Sequence, residues 1–251
     1  EYQKFLEAFL TALVEVINRL GLRDCCCFHI SDEPGIDAMD NYRQAGEIIK
    51  RILGGIKVMD AMSHLEFYQD GLCNHPVPCI NSAEKFVAAG VPDLWTYYCC
   101  HPSKITTNRF IHYPGERTRI LGFQLYKYDF KGFLHWGYNF WYTQFSLKAI
   151  DPYRVTDAGG RFPCGDAFLV YPGEDGPVDA LRHELMREAM QDHRAMRLLE
   201  NHIGRIAAVK FMEDISGGAL TVDSYPRAAE ALLNLRQAIN RRIAECVAAQ
   251  T

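Results

Sequence analysis

Two adjacent acids, Asp32 and Glu33, lie in the stretch HISDEPG (residues 29–35), after the apolar run CCCF and before a Pro-Gly turn signal. Paired carboxylates can divide acid–base work. Ionising one raises the pKa of its neighbour, so one stays anionic while the other holds a proton to give away. The plainer reading of two acids in a turn is a solvated loop pair. Strand alternation points neighbours to opposite faces, so both acids reach one cleft only if the backbone twists between Ser31 and Pro34.

A second cluster is FLHWGYNFW (residues 133–141), in which Trp136, Tyr138 and Trp141 follow a strand-like run. Such aromatics commonly fill a core. Gly137 and Asn139 break the apolar pattern here, and each indole N–H needs a partner. A sugar, with apolar C–H faces and hydroxyl rims, suits aromatic walls set among amides and acids. A third cluster is YYCCHP (residues 97–102) with Asn108, Arg109 and Phe110. Tyr97, at a strand end, can hydrogen-bond a substrate carbonyl, and Arg109 can order an acid or its own loop. A packed strand and a structural arginine explain the same residues equally well. Cys73, His75 and Cys79 lack the CxxC or HxxxH spacing of a zinc site, and no P-loop, GxSxG or dinucleotide fingerprint is present. No metal and no cofactor is therefore expected.

The elements that must position these groups read as alternating strands and helices. An amphipathic helix spans Glu1 to Leu20, with Phe5, Leu6, Phe9, Leu13, Val16, Ile17 and Leu20 on one face and Gly21 as its stop. A buried strand is expected before HISDEPG, then a helix over residues 38–53 and a strand over 56–59 ending at Asp60. Short strands follow at 77–80, 94–100 and 132–136, with helices over 83–89 and about 116–128. Residues 167–171 read as a further strand, in a barrel or in a hairpin, and two long helices over roughly 178–199 and 225–249 close the chain. This order argues for parallel βα units, whose strand C-termini and following loops form the functional face. Ser31-Asp32-Glu33, Asp60, Asn81, His101 and Trp136-Gly137-Tyr138-Asn139 all fall just after such strands.

The chain has 251 residues, 48% hydrophobic and 23% charged, with a net charge of −4. That is ordinary globular composition and gives no electrostatic reason to expect nucleic acid or an anionic membrane. No apolar run is long enough for a membrane span. Nine cysteines occur, consecutive at 25–27 and 99–100, which suits neither a metal cage nor a disulfide framework; an odd count of thiols favours a reducing compartment.

Four motifs in order, HISDEPG, WTYYCCHP followed by NRF, GFLHWGYNFW, and GDAFLVYPG followed by LRHELMREAMQD, resemble the catalytic domain of glycoside hydrolase family 123 over about residues 20–200. The resemblance implies a (β/α)8 TIM barrel and an exo-acting β-N-acetylgalactosaminidase using the substrate's own 2-acetamido group, an exception to the usual pair of enzyme carboxylates. Asp32-Glu33 matches the family's adjacent acid pair. By that match Asp32 orients the acetamido N–H, and Glu33 protonates the leaving oxygen and then activates water. Tyr97 becomes a donor to the acetamido carbonyl, Trp136, Tyr138 and Trp141 become walls of the sugar subsite, and Asn108 and Arg109 bind hydroxyls or position the loop.

In related barrels HISDEPG would end the fourth strand. The first three strands would then lie upstream of Glu1, leaving barrel units over about 1–175 and C-terminal helices over about 176–251. The remaining half would come from preceding sequence or a second copy of the chain. The expected partner is a glycan or glycolipid. A non-catalytic glycan-binding barrel, or a hexosaminidase with another sugar specificity, is the alternative; the intact acid pair favours catalysis.

Overall fold

The computed structural model describes residues 1–250. They form two compact units, one of residues 1–97 and one from Tyr98 onward.

In the first unit, helix α1 (Tyr2–Arg19) places Leu6, Leu10, Leu13 and Ile17 against Ile49, Leu53, Ile56 and Val58. That inward stripe follows helical spacing. Phe5, Phe9 and Leu20, expected on the same face, are exposed. Gly21, at φ +66°, ends the helix in the left-handed conformation that glycine adopts without steric cost. Helix α2 (Met39–Leu53) stops the same way at Gly54. Three short strands, β1 (Cys27–Phe28), β2 (Lys57–Ala61) and β3 (His75–Val77), pair in parallel in the order β1-β2-β3. Phe28 stands opposite Val58, and Asp60 opposite Pro76. Helices α3 (Glu66–Gln69) and α4 (Ala83–Ala88) follow β2 and β3, and β4 (Trp95–Tyr97) closes the unit. Tyr97 N donates to Pro78 O at 3.1 Å, seating the end of β4 beside the segment after β3.

The strand before HISDEPG is shorter and less buried than expected. Cys26, Phe28 and Ile30 pack on the α1–α2 core, while Cys25 and Cys27 are exposed on the opposite face. One face of this run meets a helix layer and the other does not, which is the period-two behaviour of an extended segment.

In the second unit, α5 (Gly115–Arg119), α6 (Leu121–Lys127), α7 (Leu181–Ile203), α8 (Arg205–Ser216) and α9 (Ala229–Ala248) enclose a core of Phe123, Tyr126, Met196, Leu199, Met212, Leu232, Leu235 and Ile239. A Cβ at Gly122 would lie 1.9 Å from Ala189 O, so α6 and α7 meet backbone to backbone. The fully buried Asp192 of α7 accepts from Arg119 Nε at 2.6 Å and Arg236 Nη1 at 2.8 Å, tying α5 and α9 to it. Helix α8 was not expected from sequence; Gly204 separates it from α7 after one nearly continuous helical pattern.

Strand β5 (Gly132–Leu134) is as short as the others, and β6 (Val170–Pro172) with β7 (Pro177–Asp179) makes an antiparallel hairpin. The expected TIM barrel is therefore not what the described residues form. Their strands are two to five residues long, no sheet has more than three strands, and none closes on itself. Two causes are visible. The 167–171 run turns back at Gly173–Gly176 as a hairpin instead of pairing in parallel, and residues 135–169 contain no strand, being organised by turns and by isolated antiparallel bridges, Asn139 with Phe168 and Tyr142 with Ala149. No helix among the described residues is long and apolar enough to cross a membrane.

Candidate active site

The acid loop leaves β1 at Phe28 and crosses the C-terminal end of β2. Asp60, one residue from the end of β2, is fully buried, and its side chain reaches back to this loop. Its Oδ1 accepts from Ile30 N at 2.8 Å and Ser31 N at 3.3 Å, and lies 2.5 Å from His29 Nδ1. Its Oδ2 accepts from the buried Tyr42 hydroxyl. Burial first, then the neighbouring Cys73 and Asp60, pushes the Tyr42 phenol well above its ordinary value, so it remains a donor. The next residue of β2 completes the grip, as Ala61 O accepts from Glu33 N at 3.0 Å.

Glu33 itself sits at φ +46°, a conformation uncommon for a residue with a Cβ. The backbone thus twists between Ser31 and Pro34, as it must if both acids are to face one cleft. Asp32 and Glu33 are both exposed, whereas Pro34 beside them is buried. The buried Tyr97, last residue of β4, donates its hydroxyl to Glu33 Oε1. The ends of β1, β2 and β4 thus converge on one solvent-facing carboxylate, and Asp32, Glu33 and Tyr97 form one group in the first unit.

Asn108, Arg109, Trp136, Tyr138 and Trp141 belong to the second unit. Asn108 is buried, and its amide donates to Cys99 O and Pro102 O, each at 2.9 Å, while its oxygen accepts from Arg109 N at 2.7 Å. Its polar atoms are committed to holding this loop. Arg109 is 2% exposed and donates through Nη2 to His135 Nδ1 at 2.7 Å, to Asp166 O at 3.1 Å and to Gly137 O. Burial lowers its pKa to about 10, which leaves it charged at neutral pH.

His135 Nδ1 also accepts from Gly137 N at 3.0 Å, so the ring proton is on Nε2, which donates to Asp166 Oδ1 at 3.2 Å. Burial pushes His135 down to about 4, so the pair is a neutral imidazole on a carboxylate. Burial alone would raise Asp166, but hydrogen bonds from His135, Cys100 and Trp136 outweigh it and hold the group below its usual range. Trp136 Nε1 donates to Asp166 Oδ2 at 2.9 Å, and its ring leans on Phe140 and Phe162 at 5.2 and 4.9 Å between centroids. The indole is 43% exposed, which makes it an aromatic face oriented from below by a buried carboxylate. Tyr138 is exposed as well, edge-on to His183, whereas Trp141 is half-buried with Nε1 on Val170 O at 3.0 Å. Gly137 is required here, since a Cβ would fall 2.7 Å from Ala167 O. An open, mainly apolar cavity of about 590 Å³, lined by Arg109, Phe133, His135, Tyr138 and Met186 among others, adjoins this cluster.

Sequence reasoning did not assign the roles of Asp60, His135 or Asp166. Each carried a signal: an acid inside the apolar strand KVMDA, a histidine in FLHW, and an acid opening the apolar run DAFLV. Among the described residues no group of three or more His, Cys, Asp or Glu is arranged to hold a metal.

Parallel strands with helices packed against them, in the first unit, make this an α/β protein. The family is more definite: the glycoside hydrolase 123 catalytic domain matches residues 1–199, and the chain belongs to that family. Among solved structures, a family 123 glycoside hydrolase from Clostridium perfringens, described in a study of glycolipid glycan hydrolysis, shares the fold at a TM-score of 0.69 and 15% identity. The alignment covers 96% of this chain and 45% of that one, so the chain spans less than half of its structural relative. No curated protein matches.

Proposed function

We propose that this chain carries the acid pair of a glycoside hydrolase that removes terminal β-linked N-acetylgalactosamine, from a glycan or a glycolipid, with participation of the 2-acetamido group. The observation that carries the reading is Glu33: an exposed carboxylate in a left-handed turn, beside a second exposed acid and held by the Tyr97 hydroxyl. A residue that departs from preferred backbone geometry and is pinned by its surroundings is a candidate for chemistry.

In the first step the acetamido oxygen attacks C1 and the glycosidic C–O bond breaks. The leaving oxygen takes the proton of Glu33, and an oxazolinium forms. Asp32 accepts the acetamido N–H and balances the positive charge that develops there. In the second step water adds to C1 on the face the leaving group vacated. Its proton goes to the Glu33 carboxylate, and the acetamide reforms. Two inversions give net retention. Tyr97, as the donor to Glu33 Oε1, sets the direction of that carboxylate before substrate arrives. Within the second unit, Trp136 and Tyr138 offer an exposed aromatic surface of the kind that suits a sugar face.

The test is hydrolysis of aryl β-N-acetylgalactosaminide and β-N-acetylglucosaminide by the full-length protein, with and without a thiazoline mimic of the oxazoline. Faster turnover of the galacto substrate and competitive inhibition are expected. Turnover without inhibition would replace acetamido participation by an ordinary two-carboxylate route, and turnover of neither substrate would remove the sugar assignment.

A further inference from the structure

We propose that Asp60 is a positioning residue for the general acid, acting on Glu33 through the main chain of the acid loop. This rests on the reading of Glu33 given above and extends it to a residue that need not touch substrate.

The geometry is a clamp with two jaws on consecutive residues of one strand. The Asp60 carboxylate holds Ile30 N and Ser31 N, and Ala61 O holds Glu33 N. Only Asp32 lies between the two points of attachment. The clamp is itself braced. Tyr42, on α2, donates to Oδ2, and His29 meets Oδ1, so both carboxylate oxygens are occupied and the group cannot rotate without losing partners.

The carboxylate is fully buried and its bonds to Ile30 N and Ser31 N are partly so, which makes loss of this acceptor consequential for the loop. Glu33 is held in the left-handed region, which surrounding contacts must enforce. Release of Ile30 and Ser31 frees that turn to relax, and the carboxylate then leaves Tyr97. The consequence is specific to proton transfer. A displaced acid slows departure of a poor leaving group, which needs the proton, far more than departure of a nitrophenolate, which does not.

The experiment compares an alkyl and a 4-nitrophenyl β-N-acetylgalactosaminide in the full-length protein, with Asp60→Asn, Glu33→Gln and the double variant, each checked for folding by circular dichroism. Asparagine retains an oxygen acceptor but cannot serve both oxygens' donors at once. Asp60→Asn is expected to lower kcat/KM, which reports the steps up to leaving-group departure, by about 10²-fold on the alkyl glycoside, as a misplacement near 1 Å does, and by less than about 5-fold on the nitrophenyl glycoside. KM on the alkyl glycoside should change little. The double variant should be no slower than Glu33→Gln alone, because two changes acting through one group are not additive.

Equal losses on both substrates would show a general loss of active protein and overturn the proposal, as would multiplied losses in the double variant. If Glu33→Gln itself shows no dependence on leaving group, the acid assignment fails and the positioning role with it. If Glu33→Gln shows that dependence and folded Asp60→Asn does not, only the positioning role fails. Should Asp60→Asn not fold, Tyr42→Phe removes one brace of the carboxylate with little change in volume. It must then show the same selective loss on the alkyl glycoside, several-fold in size, and a uniform effect on both substrates overturns the proposal.

Discussion

Asp60 and Asp166 are both fully buried carboxylates, one in each unit, and they are used in opposite ways. Asp60 spends its first oxygen mainly on main-chain N–H groups and fixes the course of a loop. Asp166 receives only side chains, His135, Trp136 and Cys100, and fixes the direction of rings. The difference follows from what each must hold. An acid in a turn is placed by its own backbone, so the turn is pinned. An aromatic face is placed by its χ angles, so the indole N–H is pinned and the ring follows. Removal of the first should cost rate, and removal of the second should cost binding and stability at neutral pH.

The largest effect that sharpens this contrast belongs to Asp32→Asn. Loss of the charge facing the acetamido group should lower kcat by about 10²–10³-fold on both alkyl and nitrophenyl glycosides, since both need acetamido attack. Steady-state rates on the two substrates check it, and a loss confined to the alkyl glycoside would reassign Asp32 to proton transfer.

Next comes the pH dependence of stability. His135 is held near 4 in the folded chain against about 6.5 unfolded, so the unfolded state binds the extra proton first as pH falls. Its contribution is complete above pH 6.5 and is lost between 6.5 and 4, by about 3 kcal/mol in all. The lowered Asp166 adds loss in the same direction as pH falls through its folded pKa. Thermal melts from pH 7.5 to 4.5 should show His135→Gln less stable at neutral pH but with a shallower fall than wild type. Parallel curves would mean that the imidazole is not the titrating group.

A smaller effect is expected of Trp136→Ala. Loss of the oriented indole should raise KM by about tenfold with kcat changed less than threefold, the pattern of binding shared by ground and transition states. Asp166→Asn should move KM in the same direction by a few-fold and alter the indole emission, whereas Asp60→Asn should leave both KM and emission unchanged. A KM change in the Asp60 variant would erase the distinction between the two carboxylates.

Much of the first unit was legible because its signals are local. The helix over 38–53, the strand ending near Asp60 and the acid turn all rest on periodicity and on Gly or Pro punctuation, and they lie within a few residues of expectation. Less was legible where partners are distant in sequence. Nothing near Trp136 announces that its N–H meets an acid at 166, and nothing near Ile30 announces that its amide meets one at 60. The barrel expectation failed for a similar reason. Short apolar runs state that a strand is present, not whether it continues a parallel sheet or, as at Val170–Pro172, turns back on itself. Burial misled in the same way: CCCF is apolar throughout, but only alternate residues of that region pack on the helices.

The central claim is that Glu33 is a general acid held ready by its loop. Its most direct measurement is kcat/KM for alkyl β-N-acetylgalactosaminide hydrolysis by full-length wild type and Glu33→Gln, with 4-nitrophenyl glycoside as the internal control. The account predicts turnover by wild type and a loss of about 10²–10⁴-fold in the variant on the alkyl substrate, with a much smaller loss on the control. A Glu33→Gln variant that cleaves the alkyl glycoside at the wild-type rate would contradict it.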